Sequence, residues 1–290
     1  MPRRDAPEQV WSPAPEPLLA PVIDTHTHLD VHDRHLHGDS APDPDFLLAE
    51  AKRMNVTKVV QIGCDVAAAE WSVEMAQERP DVTVGVAMHP NDAARIASRD
   101  GHSALERAWE RIDELARDPK VSAVGETGLD YYRTRDDAGI GAQQESFRWH
   151  IALANELNKT LVIHDRDSHD DVISVLENAG PPERVVFHCF SGDAAMARYC
   201  AERGWYMSFA GVVTYKNAQD LRDAVHEVPD ELILVETDAP YLTPVPHRGR
   251  ANATYLMPHT VRALAAERSV DEVAMANTLY ANAQRAFGSW

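Results

Sequence analysis

Val22-Ile23-Asp24-Thr25-His26-Thr27-His28 is the stretch on which the reading of this chain turns. An apolar run gives way to His-x-His, and residues two apart on a strand project from one face, so both imidazoles can reach a single ion. A lone histidine reads as a hydrogen-bonded core or surface residue. A His-x-His pair closing a buried strand reads as a pair of metal ligands. Four further candidates, Glu126, His164, His188 and Asp238, stand at the ends of later predicted strands. Six ligands of this kind suggest a two-metal hydrolase.

Outward from the first strand, short apolar runs alternate with longer helical patterns, the signature of a parallel α/β fold. The strands are predicted at 22–24, 58–62, 83–88, 123–126, 161–164, 184–188, 205–209 and 232–237. Helical patterns fall near 45–54, 67–78, 103–116, 142–157, 169–179, 193–203 and 217–226. Eight strands favour a single closed (β/α)8 TIM barrel, in which catalytic groups gather at the carboxyl ends of the strands. The six ligands occupy those ends on the first, fourth, fifth, sixth and eighth strands. A doubly wound sheet is the alternative, but it expects a glycine-rich phosphate loop where His26-Thr27-His28 stands. Near the end of the chain, Ser269 with Glu272 reads as a capping box. The helix it opens carries Val273, Ala276, Leu279 and Tyr280 on one face and stops at Gly288.

The chain has 290 residues, 44% hydrophobic, compatible with one large domain at 22–290 after a proline-rich extension at 1–21. Pro2, Pro7, Pro13, Pro15, Pro17 and Pro21 leave that extension unable to form a regular helix or central strand. A formal net charge of −18 opposes coating of nucleic acid or of acidic membranes, so any contact with a polyanion must be local. Cys64, Cys189 and Cys200 cannot all pair within one chain and read as reduced structural thiols, which fits a cytoplasmic protein. Arg3-Arg4 is not followed by the apolar stretch of an export signal, and no later run is long and apolar enough to span a membrane. No obligate protein partner is evident.

Five motifs stand in order: His26-Thr27-His28-Leu29-Asp30, Gly125-Glu126-Thr127-Gly128-Leu129-Asp130-Tyr131-Tyr132, Ile163-His164-Asp165-Arg166, His188-Cys189-Phe190-Ser191-Gly192 and Glu236-Thr237-Asp238-Ala239-Pro240-Tyr241-Leu242. In this the chain resembles the TatD-family metal-dependent deoxyribonucleases over roughly residues 22–288. Where that family usually has Gly-x-His-Pro and Arg-Gly-x-x-Asn-x-Pro, this chain reads Ala87-Met88-His89-Pro90 and Arg248-Gly249-Arg250-Ala251-Asn252-Ala253-Thr254. The resemblance implies a barrel of the amidohydrolase superfamily, phosphodiester hydrolysis and dependence on Mg²⁺ or Mn²⁺. Mixed His and carboxylate ligands also suit Zn²⁺.

On this reading His26 and His28 hold one ion and His164 and His188 a second. Glu126 places one carboxylate oxygen on each, and Asp238 ligates the first ion and accepts the proton of the attacking water. The expected substrate is DNA at a single-stranded or frayed end, with RNA as the alternative polymer. The second reading is a small-molecule amidohydrolase or lactonase. Related lactonases typically place a carboxylated lysine where Glu126 stands, which favours the nuclease. A closed structural metal site is the third reading, and six ligands shared by two ions argue against it.

Around the ligands, Asp24 and Glu236 read equally as hydrogen-bond partners of ligands or as buried structural groups. Cys189 is expected on the opposite strand face as a packed thiol. His32, His35 and His37 read as solvated loop histidines, with an auxiliary metal site as the alternative. His89 reads as either substrate-facing or structural. Arg133, Arg135, Arg166, Lys216, His247, Arg248 and Arg250 follow strand ends and can ring the metal face, Arg166 being the best placed to hold phosphate. Tyr131, Tyr132 and Tyr241 can stack on an unpaired base or pack a loop.

Overall fold

The computed structural model describes residues 11–38 and 43–290. Eight parallel strands follow one another around a barrel: β1 (Val22–Thr27), β2 (Val56–Gly63), β3 (Val82–Val86), β4 (Val121–Asp130), β5 (Thr160–Arg166), β6 (Val185–Phe187), β7 (Tyr206–Phe209) and β8 (Ile233–Val235). Helices cover the outside, so the strands are buried on both faces and read as continuous Val/Ile runs, not as alternating ones. The single (β/α)8 barrel expected from the sequence is the fold observed.

The seam between β8 and β1 is closed at the proposed ligands. Asp238 N–H donates to His26 O at 2.9 Å and His28 N–H donates to Ala239 O at 2.8 Å. Below them the Thr25 hydroxyl donates to Val235 O at 2.9 Å. The chain beyond β8 thus completes the barrel while carrying a carboxylate to the first strand.

Several sequence boundaries are corrected. β4 and β5 run on past Glu126 and His164 to Asp130 and Arg166, so these two ligands lie within strands, not at their last residues. His188 and Asp238, conversely, lie beyond β6 and β8. The helix expected at 142–157 begins at Asp137, because the Asp136 carboxylate caps it at Gly139 N and carries it through two glycines that discouraged a helical reading. The helix Pro90–Asp100 was missed because it buries only Pro90, Ala93 and Ala94, too small a stripe to show as periodicity. The helix Met257–Arg268 was missed as well. Ser269 is not the cap of the last helix. It ends the preceding one in a left-handed conformation, φ 55°, and Asp271 caps Glu272–Phe287 by accepting from Ala274 N.

The described part of the extension has no helix or strand, as its prolines require, but it is anchored. Leu18 is buried, its N–H donates to Met54 O, and Arg262 donates to Glu16 O and Pro17 O. Residues 1–10, with Arg3 and Arg4, lie outside the described residues. His37 is not the solvated loop residue expected. It is buried against Trp11, ring centroids 5.0 Å apart, and its Nδ1 accepts from Asp33 N. Among the described residues no helix is long and apolar enough to cross a membrane.

Candidate metal centre

Two irregularities in the sheet aim the central ligands. The register between β1 and β2 shifts between Asp24 and Thr27, bracketing His26, and that between β4 and β5 shifts between Val124 and Thr127, bracketing Glu126. Breaks of this kind re-aim a side chain that a regular pleat would point elsewhere. Asp238 reaches the same space from a left-handed backbone, φ 53°, which aspartate tolerates better than most residues.

All six sequence-derived ligands converge. His26 Nε2 lies 3.2 Å from His28 Nε2, 3.4 Å from Glu126 Oε2 and 3.9 Å from Asp238 Oδ1, and His28 Nε2 lies 3.3 Å from Asp238 Oδ1. On the other side Glu126 Oε1 lies 2.5 Å from His164 Nδ1 and 2.8 Å from His188 Nε2. The two oxygens of one carboxylate therefore face two separate histidine sets. The His26 and His188 rings stack between the sets, centroids 3.8 Å apart.

The donor spacing fits a cation. Two ligand atoms each about 2.0–2.1 Å from one ion lie about 2.9 Å apart at a right angle and about 3.4 Å apart at the tetrahedral angle. The contacts of 3.2, 3.3 and 3.4 Å around His26, His28, Asp238 and Glu126 Oε2 fall within that range. The two contacts to Glu126 Oε1 are hydrogen-bond lengths instead, which a cation would replace. His28 is held for the task, since its Nδ1 faces Ile62 O at 3.2 Å and so carries the hydrogen, leaving Nε2 as the nitrogen that would face a cation. His26 Nδ1 is buried with no hydrogen-bond partner.

Burial of so many titratable groups polarises them. Burial and the neighbouring His188 lower His26 to a pKa of about 3, outweighing Glu126. Burial also opposes the charging of His28, but the hydrogen bond and charge of Asp238 raise it to about 9. Glu126, although desolvated, is held well below the usual carboxylate range by the charges of His188, His89 and His164. The centre thus keeps Glu126 ionised in a buried place, the condition for binding a cation.

The supporting residues sort differently from expectation. Glu236 accepts from Cys189 N–H at 2.6 Å and lies 3.1 Å from His188 Nδ1, so it orients that ring. Asp24 accepts from Thr237 N–H at 2.9 Å and from the Thr237 hydroxyl at 2.6 Å, tying β1 to the segment after β8, while burial pushes its pKa to about 7. Cys189 is not on a strand. It follows β6 at φ 41°, and burial pushes its thiol well up, which leaves it protonated and a poor nucleophile.

Three neighbours stand beside the candidate ligands without having been read as ligands, His89 having been left between a substrate-facing and a structural role. His89 caps the helix Pro90–Asp100 by accepting from Asn91 N at Nδ1, and its Nε2 lies 3.6 Å from Glu126 Oε1. Asp130 Oδ2 accepts from Asn91 Nδ2 at 2.8 Å and lies 3.3 Å from His164 Nε2, poorly aligned for a hydrogen bond. Cys64 Sγ is 3.6 Å from Glu126 Oε2. Asp130 was findable, because Glu126, Gly128 and Asp130 share one strand face by their spacing of two.

Gly128 makes that row possible. At φ 138° a Cβ here would stand 2.1 Å from His164 O in the adjoining strand. Overpacking alone costs about 1–3 kcal/mol and a side chain at positive φ adds strain. Gly128→Ala should lower the melting temperature by at least several degrees, taking about 2–4 °C per kcal/mol. It should also weaken metal binding by displacing His164. A variant with the wild-type melting temperature would contradict this packing.

The expected substrate groups are less gathered. Arg166 ends β5 with its guanidinium 4.0 Å from the ring centroid of Tyr132, which is half exposed, and Tyr241 is also exposed. Tyr131 is tied down, its hydroxyl donating to Asp171 at 2.7 Å and its ring packed on the core, so it is not free to stack on a base.

Comparison with known proteins identifies the family. The family model described as TatD related DNase matches residues 23–288. The chain is 42% identical over 275 residues to the uncharacterized metal-dependent hydrolase TatD of Mycobacterium tuberculosis, covering 92% of this chain and 98% of that protein. It is 36% identical over 270 residues to the uncharacterized metal-dependent hydrolase YabD of Bacillus subtilis, covering 92% and 98%. Among solved structures, YjjV, a TatD homologue from Escherichia coli, superposes with a TM-score of 0.80 at 25% identity over 92% of this chain and 97% of that one. A mutant organophosphorus hydrolase shares the fold alone, with a TM-score of 0.63 at 14% identity over 92% of each chain. With the family model matched over residues 23–288 and these relatives matched along nearly their whole length, the chain belongs to the TatD family of metal-dependent hydrolases.

Proposed function

We propose that this protein is a metal-dependent nuclease hydrolysing phosphodiester bonds in DNA at accessible single-stranded ends. The observation that carries the reading is Glu126, whose Oε2 faces His26 and whose Oε1 faces His164 and His188, a natural bridge between two divalent ions. His26, His28 and Asp238 would complete one site, and His164 and His188 the other. Divalent ions held there would activate water and neutralise charge on the phosphoryl group, Mg²⁺ or Mn²⁺ being expected and Zn²⁺ compatible with the ligands.

The protein's own groups supply the rest. Asp238 stands on the His28 side of the cluster and accepts the proton released as water attacks, while Glu236 fixes the His188 ring. Arg166, steadied over Tyr132, holds a flanking phosphate, and exposed Tyr241 offers a face to a base. These local contacts must act against the net charge of −18, so binding should be modest and should fall steeply with salt.

Purified protein with divalent metal should cleave end-labelled single-stranded DNA faster than duplex. Arg166→Ala should lower kcat/KM about tenfold, mainly through KM, and should flatten the salt dependence. Hydrolysis of a lactone or amide with intact DNA under the same conditions would replace the nuclease by a small-molecule hydrolase. Unchanged kinetics and salt slope in the Arg166 variant would remove that residue from substrate binding.

A further inference from the structure

We propose that the large cavity flanking the metal centre, between the loops that follow β6 and β7, is a site for a nucleobase of the strand being cut. The proposal rests on the nuclease reading above and assigns the neighbouring substrate group to a defined place. The cavity has a volume of about 910 Å³ and adjoins the centre directly, since Cys189 in its wall follows His188 in the chain. That volume lies in the range of small-molecule sites, roughly 300–1,000 Å³.

Its chemistry suits a neutral planar ring. Phe190, Met196 and Leu221 contribute buried apolar surface, and Tyr215 forms an aromatic wall. Tyr215 is held in place: its hydroxyl donates to Thr243 O at 3.0 Å, and the Arg248 guanidinium lies over its ring, 3.9 Å from the centroid. A rigid aromatic of this kind is what base stacking uses, with little ordering left to do on binding.

Phosphate is disfavoured inside. Among the described residues the lining includes no lysine or arginine, whereas Asp170, Asp193 and Asp220 all contribute to it. Asp193 is committed to capping the helix Ala194–Glu202 through Met196 N. Asp170, Asp220 and Asn217 can accept hydrogen bonds from the exocyclic amino groups and ring N–H of a base edge. The arginines lie outside the lining, with Arg248 behind Tyr215 and Arg166 at the end of β5, and His169 within it is already paired with Asp165 at 2.7 Å. Charge therefore sorts the substrate, with the backbone kept toward the metal centre and the base turned into the cavity.

Ala195 lines the cavity from an exposed position in the first turn of its helix, so Ala195→Trp fills the space without touching the core or the metal ligands. The test uses the full chain and two readouts. The first is cleavage of a short single-stranded oligonucleotide and of a set in which one abasic residue is moved along it. Wild type should lose about ten- to hundredfold in kcat/KM when the abasic residue reaches the position that enters the cavity. Ala195→Trp should cut the all-base oligonucleotide at that lower rate and show no further loss at that position.

The second readout is saturable binding of adenosine alone, followed by NMR. Ala195→Trp should abolish it, and Asn217→Ala, on an exposed loop, should weaken it several-fold. Adenosine binding lost in Ala195→Trp, in a protein that cleaves no oligonucleotide, would keep the base site and sink the nuclease reading. Normal cleavage with no abasic effect, or adenosine binding unchanged in both variants, would overturn the base site and leave the nuclease standing. Absence of both cleavage and adenosine binding would overturn both.

Discussion

Stripping divalent metal from this enzyme is expected to abolish hydrolysis while leaving the barrel folded, and adding metal back should restore activity. The apolar interior is separate from the ligands: Val22, Ile62, Val84, Val124, Ile163 and Leu234 are fully buried along the strands, whereas the ligands gather at one end. Without a cation the buried carboxylates still have partners, as Glu126 does in His164 and His188. The far-ultraviolet circular dichroism of stripped protein should therefore match that of the loaded form. The melting temperature should rise with added metal, since a ligand at a hundred times its Kd adds about 2.7 kcal/mol.

The two halves of the centre can be told apart by elemental analysis. His26 and His188 stack on one another, so replacing either disturbs both sets. His28→Ala and His164→Ala are the cleaner pair, each expected to lose one ion and to retain most of the other, with activity lost in both. Full activity in protein shown to be metal-free, or unchanged occupancy in both variants, would sink the two-ion assignment.

What could be read from the sequence was what repeats or what lies close along the chain. Eight apolar runs are enough to specify a barrel, and His-x-His marks two candidate ligands because strand geometry puts both on one face. The other candidate ligands, Glu126, His164, His188 and Asp238, were visible as polar residues closing buried runs, although only the fold brings Glu126 and Asp238, 112 positions apart, to the same histidine, His26. The aiming devices were not legible. A register shift at Glu126 or a left-handed backbone at Asp238 depends on neighbouring strands that no local pattern encodes.

His89 was ambiguous for the same reason, since its role as a helix cap required knowing that the weakly apolar stretch Pro90–Asp100 is a helix. The cavity between the loops after β6 and β7 escaped entirely. Its wall is assembled from residues 169–221, which share no motif and meet only because consecutive βα loops crowd one rim of the barrel.

Asp238→Asn should reduce hydrolysis by about 10² to 10⁴ while affecting DNA binding far less, the loss typical of removing a positioned general base. The substitution suits this backbone. Asparagine tolerates the left-handed conformation as aspartate does, and the seam bond from the residue 238 N–H to His26 O does not involve the side chain. The fold should therefore survive, and the change is confined to charge and basicity. His28 offers an independent readout in metal-free protein. Burial alone lowers its pKa, and Asp238 is the first group that raises it, to about 9. With the carboxylate gone, the imidazolium loses its principal partner, so the His28 pKa should fall toward or below its ordinary value near 6.5. An NMR titration showing that fall confirms that the carboxylate acts on His28 as the geometry requires. Rate loss with both ions retained assigns Asp238 to proton transfer, and rate loss together with loss of one ion leaves it a ligand. A near-wild-type rate with both ions bound would eliminate it from the chemistry.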